Sequence, residues 1–588
     1  MRLAAAVCLL AACSNDPPGQ ATPDPTIYDP YPPNVLPPDL DAEIQRVRAE
    51  NATIFERTVA EWHALPPLTP VGNPPVFQGS GYNSIRVLGT LMNFDENMSI
   101  HKDRACSFCH MPYAGFNGPI PSLNLTAVAY PGSAQYRLGK RIPQRYPYAT
   151  FFPVLAYNSD QGLFFGGNFW DGRSTGYILQ SPNAQQAQHP PVDPNELGFA
   201  DTACIAYRLS QAEYRPLFEG LFGPGSLAIA WPRDTEAICA TPAGAASFGG
   251  NTTPIELSDD DRTKANVVYQ HWGQAISLYQ SSTHVNAFSS KFDAFLAGQY
   301  TLTPDEQAGY DLFRGKANCN SCHLDGRGSA VGSTDTSAAA DVTPPFTCFG
   351  YANLGLPLNP AVAIFYESTP DAVGFTPNPD GFSFRDLGLG TFLRSGPGSA
   401  ANPNSDWMPF APGADGAMQV LTVRNVALTP AACPTTDAGR VDAQGAPVPY
   451  FQKAFFHNGY AKSLKQLVHF YNTRDLFAYP VTSGHCPTGT TEKVDCWPQP
   501  EVPNNIDMTF GNLGLTEREE DLIVTFMETL TDGFTTPFPN ADTFTGTCAT
   551  GGSAATQGND HLIAAPPLPP CAADICGVPP LPGPATIP

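Results

Sequence analysis

The sequence predicts a mainly α-helical protein of two helical domains, with long irregular loops and few short strands. Three observations support this prediction. Capped amphipathic segments recur along the chain, strand signals are few and short, and the motif C-x-x-C-H occurs twice, at residues 106–110 and 319–323. The 62 prolines and 52 glycines among 588 residues explain the loops, and a hydrophobic content of 42% is enough for the cores.

The first residues, MRLAAAVCLLAAC, have the pattern of an export signal. Arg2 precedes a short apolar run, and LAAC at residues 10–13 is typical of a lipoprotein cleavage site. We therefore expect residues 1–13 to be a lipoprotein signal peptide and Cys13 to carry a lipid anchor, which places the protein in the periplasm or on the cell surface. An ordinary signal peptide cut nearby is the alternative. The run is too short to span a bilayer, so we expect contact with a membrane only through the anchor.

The remaining chain divides by composition and by the positions of the two motifs. A Pro-rich stretch reads as an exposed tether, and a helical pattern follows at residues 40–64. The predicted order is a tether and helix at 14–84, an N-terminal domain at 85–299 with an irregular insertion at 199–257, a C-terminal domain at 300–534, and a Pro-rich, poorly ordered tail at 535–588.

Helix starts can be read from capping residues. Thr303 and Glu306 form a predicted capping box, and Pro304 suits the first helical position of a segment that leads into the second motif. Ser258 opens another helix, in which His271 reads as a packed core residue. Thr516 begins the last helix, also with a capping box.

Each C-x-x-C-H motif predicts covalent haem attachment. Two thiols two residues apart can both form thioethers with the vinyl groups of one haem, and the next residue brings an imidazole to the iron as proximal ligand. A redox dithiol or half of a zinc site is the alternative for a single copy. The predicted attachment residues are Cys106, Cys109 and His110 at the first site, and Cys319, Cys322 and His323 at the second.

The other cysteines and the net charge limit the remaining possibilities. After Cys8, Cys13 and the four haem cysteines are subtracted from 15, nine remain, so at least one thiol is free or joined to another chain. Proximity suggests the disulfides Cys204/Cys239, Cys486/Cys496 and Cys571/Cys576. The net charge of −23 argues against nucleic acid as a partner and weakly favours a basic or neutral redox partner.

Seven segments together resemble the family of bacterial di-haem cytochrome c peroxidases and MauG, over roughly residues 85–534. They are LGTLMNFD before the first motif, FWDGR at 169–173, KFDAFLAG at 291–298, LTPDEQAGYDLF before the second motif, VRNVALT at 423–429, FHNG at 456–459 and LTEREEDLIVTFMETLTDGF at 515–534. This resemblance implies two cytochrome c-like domains. It also implies that the N-terminal haem meets peroxide and that the C-terminal haem stores or relays electrons.

The resemblance implies roles for three further residues. Gln186 and Glu196 match a Gln and a Glu spaced ten residues apart in the distal pocket, where Glu196 would be the acid/base group. Trp170 matches a residue between the two haems that could relay electrons, and core packing is its alternative role. The segment between FWDGR and Gln186 is longer than is usual in the family, which puts the local shape of the pocket in doubt.

The axial ligands distinguish the branches of this family. The peroxidases place a removable distal His sixteen residues after the first motif, where this chain has Thr126, and no histidine occurs between His110 and His189. We therefore expect an open first iron, unless a distant His swings in. At the second haem Tyr471 matches a Tyr ligand of MauG, in place of the Met of the peroxidases. The alternative second-haem ligands are His469, Met408 and Met418.

The resemblance also implies a calcium ion between the domains, although the insertion QKAF at residues 452–455 disturbs the segment that helps to form such a site. The predicted function is a di-haem c-type peroxidase that reduces hydrogen peroxide at the open N-terminal haem. Its other partner would be an electron-donor protein or a protein substrate. The alternatives are MauG-like modification of Trp or Tyr in a partner protein, a di-haem oxygenase, and a plain electron-transfer cytochrome.

Overall fold

The computed structural model describes residues 40–68, 80–120, 123–124, 127–134, 137–326, 343–396, 406–428, 453–477, 486–535, 558–561 and 563. Helices make up most of the regular secondary structure in these ranges. In chain order they are α1 Leu40–His63, α2 Ser80–Phe94, α3 Cys106–Cys109, α4 Pro182–Gln186, α5 Ala203–Gln211, α6 Arg215–Phe222, α7 Thr235–Cys239, α8 Asp259–Ser281, α9 Lys291–Leu296, α10 Pro304–Arg314, α11 Leu389–Arg394, α12 Leu464–Thr473 and α13 Glu517–Glu528.

The strands form two small antiparallel sheets. β1 (Ala156–Asn158) pairs with β2 (Leu163–Phe165), and β3 (Tyr351–Ala352) pairs with β4 (Met418–Gln419). Within the described ranges, the prediction of a helix-rich fold with few short strands is therefore confirmed.

A closely packed helix pair precedes and supports the first motif. α2 leads to the first motif and packs against α8. At their crossing, a Cβ atom on Gly89 would lie 2.0 Å from the main-chain oxygen of Ala275, so only glycine permits this approach. The buried faces of both helices contribute to one hydrophobic core.

A second helix pair repeats this arrangement beside the second motif. α10 leads to Cys319 and packs against α13. A Cβ atom on Gly309 would lie 1.9 Å from the main-chain oxygen of Leu522. The two motifs therefore follow equivalent helices in two helical halves, each closed by a glycine-mediated crossing.

The predicted capping residues are confirmed. The Thr303 hydroxyl accepts a hydrogen bond from the Glu306 main-chain N–H, and the Glu306 carboxylate accepts one from the Thr303 N–H. Thr516 begins α13 with the same capping box, and Ser258 caps α8. His271 is a packed residue as predicted, since its ring stacks on Phe222 with 3.9 Å between centroids.

The insertion at residues 199–257 is not irregular as predicted. It contains α5, α6 and α7, and it is closed by the disulfide Cys204–Cys239. Leu209, Leu217 and Phe218 are buried in the same core as α2 and α8. The many prolines and glycines of this segment lie in its turns, so composition alone concealed three short amphipathic helices.

The second predicted disulfide, Cys486–Cys496, is also present, whereas Cys571 and Cys576 lie outside the described residues. The predicted poorly ordered tail is partly wrong, because Gly558–His561 form a helical turn. Asp560 in this turn is buried and pairs with the buried ammonium of Lys453, 2.5 Å away.

The predicted export signal, the predicted tether and Cys13 lie outside the described residues. Among the helices that the structure describes, none is both long enough and apolar enough to cross a membrane.

Candidate functional site

The first motif forms the short helix α3, and His110 is fixed immediately after it. The Nδ1 atom of His110 lies 3.1 Å from the main-chain oxygen of Phe116. Nδ1–H can donate to that oxygen, which leaves Nε2 with a free lone pair for a metal. Burial lowers the pKa of His110 to about 4, so the imidazole is neutral at neutral pH. Cys106 and Cys109 are free thiols. The three residues fit covalent haem attachment.

A cavity of about 60 Å³ opens beside this motif. Gln186 stands at the end of α4, which Ser181 caps, and Glu196 follows a turn at Pro190–Val192. Both line the cavity together with the motif. The other polar residues of its wall are Arg104, Tyr130, Tyr146, Asn195 and Gln280.

Glu196 is held through its main chain, and its carboxyl group has no hydrogen-bond partner in the described part of the chain. Its main-chain oxygen accepts a hydrogen bond of 2.7 Å from Ser133. Burial raises the pKa of Glu196 to about 8; Asp193 adds to the rise and Arg173 opposes it. A carboxyl group with a pKa near neutrality can both accept and return a proton, which is the property required of a general acid/base.

His110 is the only histidine that lines this cavity in the described part of the chain, and no methionine lines it. Thr126, the position of the family's distal His, lies outside the described residues. His189, the next histidine in sequence, packs edge-on against Phe169 with 5.2 Å between ring centroids. The described wall of the cavity therefore provides no second histidine and no methionine as an iron ligand.

The second motif repeats the geometry of the first. Cys319–Ser321 form a 3-10 turn, and Nδ1 of His323 lies 3.2 Å from the main-chain oxygen of Phe346. Cys319 and Cys322 are free thiols. The same tautomer is therefore favoured at both sites, with Nε2 available to a metal.

A cavity of about 200 Å³ surrounds the second motif, and Tyr471 on α12 lines it. The Tyr471 ring packs against Phe510 with 4.7 Å between centroids. Burial raises the pKa of Tyr471 above its ordinary value, and the nearby Cys322 and Cys319 thiols raise it further. The phenol therefore lies beside the second motif. Without a metal, this site therefore favours the neutral phenol.

The three alternative ligands of the second iron are placed differently. His469 uses both ring nitrogens, at 2.8 Å from the Glu520 carboxylate and 2.7 Å from a main-chain oxygen. Met408 is 49% exposed. Neither residue lines the cavity, whereas Met418 does.

Trp170 lines the second cavity and not the first. Its Nε1–H donates to the main-chain oxygen of Ile142 at 3.4 Å, and its ring lies 6.2 Å from that of His457. Ile142 belongs to the N-terminal half and His457 to the C-terminal half. Trp170 is therefore packed where the two halves meet, at the wall of the second cavity.

Sequence reasoning missed four polar groups around this cavity. Asp386, His457 and Glu501 line it, and Arg141 pairs with Asp386. FHNG contains His457 but gave it no role at this cavity, and no sequence pattern marked Glu501. The unassigned Cys348 lies within hydrogen-bonding reach of Cys322 and is a free thiol.

The structure provides no support for the expected calcium ion. In the described ranges, no group of three or more His, Cys, Asp or Glu side chains could hold a metal ion. The insertion before His457 instead places the Lys453 ammonium 2.9 Å from the main-chain oxygen of Ala427. Calcium binding remains a prediction.

Comparison with known proteins agrees with this geometry. Residues 84–301 match the family model described as di-haem cytochrome c peroxidase. The methylamine utilization protein MauG of Paracoccus denitrificans is 28% identical over 453 residues, which cover 76% of this chain and 89% of that protein. The N-terminal part of the chain therefore matches the di-haem cytochrome c peroxidase family, and most of the chain is similar to MauG.

Two further comparisons agree with this similarity. Cytochrome-c peroxidase IdrP1 of Denitromonas iodatirespirans is 25% identical over 264 residues, which cover 44% of this chain and 52% of that protein. The crystal structure of the diheme peroxidase BthA from Burkholderia thailandensis superposes with a TM-score of 0.53 at 21% identity, covering 79% of this chain and 90% of that one. This likeness shows a shared fold.

The match to the di-haem cytochrome c peroxidase family implies haem c as the cofactor and an oxidoreductase activity of the peroxidase kind. The members are periplasmic c-type cytochromes. The four free thiols and the two equally oriented imidazoles of this chain fit two such haems.

Proposed function

We propose that the protein is a di-haem c-type peroxidase that reduces hydrogen peroxide at an open N-terminal haem, while the C-terminal haem relays electrons or shares oxidising charge. One observation carries this proposal. Glu196, with its raised pKa, and Gln186 line the same cavity as Cys106, Cys109 and His110. An electron-transfer cytochrome has no need of an acid/base group at its iron.

The haem at the first site would supply an iron that accepts peroxide. The overall reduction consumes two electrons and two protons and gives two molecules of water. In this scheme the Glu196 carboxylate takes the proton from one peroxide oxygen and returns it to the oxygen that leaves. The Gln186 amide would hold the peroxide by hydrogen bonding. Electrons would come from a donor protein and pass the second haem and Trp170.

A second candidate function is peroxide-dependent modification of Trp or Tyr residues in a partner protein. Tyr471 at the second cavity favours it. A phenolate oxygen stabilises oxidised iron and lowers its reduction potential, whereas a Met thioether raises it. Such a haem would accept electrons poorly from an ordinary cytochrome. The relative named MauG supports the same candidate.

The proposal includes an exported protein held at the membrane by a lipid on Cys13, in the periplasm or at the cell surface. Haem attachment to C-x-x-C-H motifs in bacteria takes place outside the cytoplasm, which agrees with export. The di-haem oxygenase alternative uses the same open first iron, with oxygen in place of peroxide.

The role of Glu196 is tested with the purified holoprotein and its Glu196→Gln variant, which keeps the size of the side chain. We expect the rate constant for reaction with peroxide to fall by about 10²- to 10⁴-fold, as for loss of a general acid/base. Glu213→Gln, at an exposed position, is the matched control and should react like the wild type. A Glu196→Gln variant with the full wild-type rate would contradict the proposal.

The two candidate functions differ in their products. A peroxidase consumes peroxide in step with oxidation of a small reduced donor cytochrome. A modifying enzyme leaves a mass change on Trp or Tyr of a partner protein. Stopped-flow assays with a reduced cytochrome, followed by peptide mass spectrometry of co-purified proteins, separate these outcomes.

A further inference from the structure

One side of the second cavity is polar and buried. Asp386, His457 and Glu501 line it together with Trp170. Glu501 is 8% exposed, and its Oε1 accepts a hydrogen bond of 2.9 Å from the Asp386 main-chain N–H. The cluster formed by Asp386, His457 and Glu501 has no role in the peroxide chemistry proposed above.

The neighbouring charges are already paired. Arg141 lies 2.6 Å from the Asp386 carboxylate and 2.7 Å from that of Asp171. These contacts hold the pKa of Asp386 well below its usual range, so this carboxylate stays ionised. Arg173 also pairs with Asp171, at 2.9 Å. The two positive charges of Arg141 and Arg173 therefore balance the two negative charges of Asp171 and Asp386.

His457 and Glu501, in contrast, make no salt bridge in the described residues. His457 Nε2 is buried and has no hydrogen-bond partner among the described residues. Burial lowers the pKa of His457 to about 4, so the imidazole is neutral. Burial and the Asp386 carboxylate raise the pKa of Glu501 to about 7, while Arg385 and Arg141 oppose the rise.

An electron added to a metal in this cavity would add a negative charge to a low-dielectric environment. Such a charge favours the neutral form of any nearby carboxyl group. Asp386 is held ionised by Arg141, and His457 is already neutral. Glu501 is therefore the group of this cluster that can compensate the charge.

We propose that Glu501 is a redox-linked proton site of the second haem, binding a proton when that haem is reduced and releasing it on oxidation. This inference rests on the proposed function, because it requires a haem at the second motif. In the balanced step, one electron from the donor would reduce a ferric haem held at the second motif, and the Glu501 carboxylate would take one proton from the bulk buffer. The products would be the ferrous haem, the neutral carboxylic acid and the deprotonated buffer.

The sign of the pH dependence follows. Well below the pKa of Glu501 in the oxidised protein, the group is protonated in both states and the potential is constant. Above that pKa, and below the higher pKa of the reduced protein, reduction takes up a proton. There the reduction potential falls as pH rises, by at most 59 mV for each tenfold fall in proton concentration.

The test is a spectroelectrochemical titration of the holoprotein at several pH values, with redox-difference infrared spectra. In the wild type we expect a pH-dependent potential for the second haem and a carboxylic-acid C=O band that appears on reduction. Glu501→Gln keeps an acceptor for the Asp386 N–H and should lose both signals. Glu367→Gln is the matched control, since Glu367 is another carboxyl group of raised pKa but does not line the cavity.

A wild-type potential that is independent of pH, or a Glu501→Gln variant that keeps both the slope and the band, would overturn the inference. The haem content of each sample is measured first. Fewer than two haems in the wild type would mean failure of the proposed function itself, whereas two haems without the band would mean failure of the Glu501 inference alone.

Discussion

The Nδ1 atom of His110 lies 3.1 Å from the main-chain oxygen of Phe116, and this contact fixes which imidazole nitrogen can bind a metal. His323 has the equivalent contact at 3.2 Å. Two segments far apart in sequence therefore present Nε2 in the same way, directly after a pair of free thiols.

This relationship predicts separable effects on the two haems. His110→Gly keeps both cysteines, so the chain should still carry two haems by mass spectrometry. Only one haem should change its absorption spectrum, and added imidazole should restore it. His323→Gly should change the other haem. A His110→Gly variant with the wild-type spectrum of both haems would show that His110 is not a ligand.

The raised pKa of Glu196 predicts the pH dependence of the peroxide reaction. The general base must be ionised, so the reaction should be slow well below the pKa of about 8 and should rise with pH through that value. Stopped-flow measurements at pH values from about 6 to about 9, in steps of about one pH unit, would show this rise. A rate that is constant or falls over this range would exclude Glu196 as the base.

The crossing of α10 and α13 predicts a stability change on adding one methyl group. Gly309→Ala places a Cβ atom against the main-chain oxygen of Leu522, and overpacking of this kind costs about 1–3 kcal/mol. Denaturant unfolding of the holoprotein measures the loss. Gly413→Ala is the control, because a Cβ atom there meets nothing within 4 Å. Equal stabilities of the two variants would show that the crossing adjusts freely.

The buried pair of Lys453 and Asp560 predicts that the C-terminal turn is part of the fold. Asp560→Asn leaves the Lys453 ammonium without its counter-charge, and breaking a buried pair costs about 3–5 kcal/mol. Asp305→Asn removes the exposed pair with Arg518 and should have little effect on thermal unfolding. If Asp560→Asn unfolds like the wild type, the turn does not contribute to stability.

The sequence predicted the features that depend on local chemistry. The capping boxes at Thr303 and Thr516 are confirmed, because short-range hydrogen bonds determine them. The disulfide Cys204–Cys239, which proximity only suggested, is also present. The sequence could not predict that Asp560 pairs with Lys453, which lies 107 residues earlier in the chain. A contact between such distant segments leaves no local sequence pattern. The helices of the insertion were missed because their turns dominate its composition.

Some residues of the candidate site were also predictable from the sequence, and others were not. The two motifs, together with the family spacing of Gln186 and Glu196, led to residues that line the first cavity. Glu501 was not predicted, because a single acidic residue carries no signal until the fold buries it beside Asp386. The roles of Glu196, Gln186, Trp170 and Tyr471 remain predictions.

The most direct test of the two haem sites is an absorption and electron-paramagnetic-resonance spectrum of the ferric protein, before and after peroxide, with Tyr471→Phe alongside. We expect a high-spin signal that vanishes rapidly on adding peroxide without prior reduction, and a second-haem spectrum that changes in Tyr471→Phe. Two low-spin haems that stay inert until half-reduced, together with an unchanged Tyr471→Phe spectrum, would contradict both an open first iron and a tyrosine-ligated second iron.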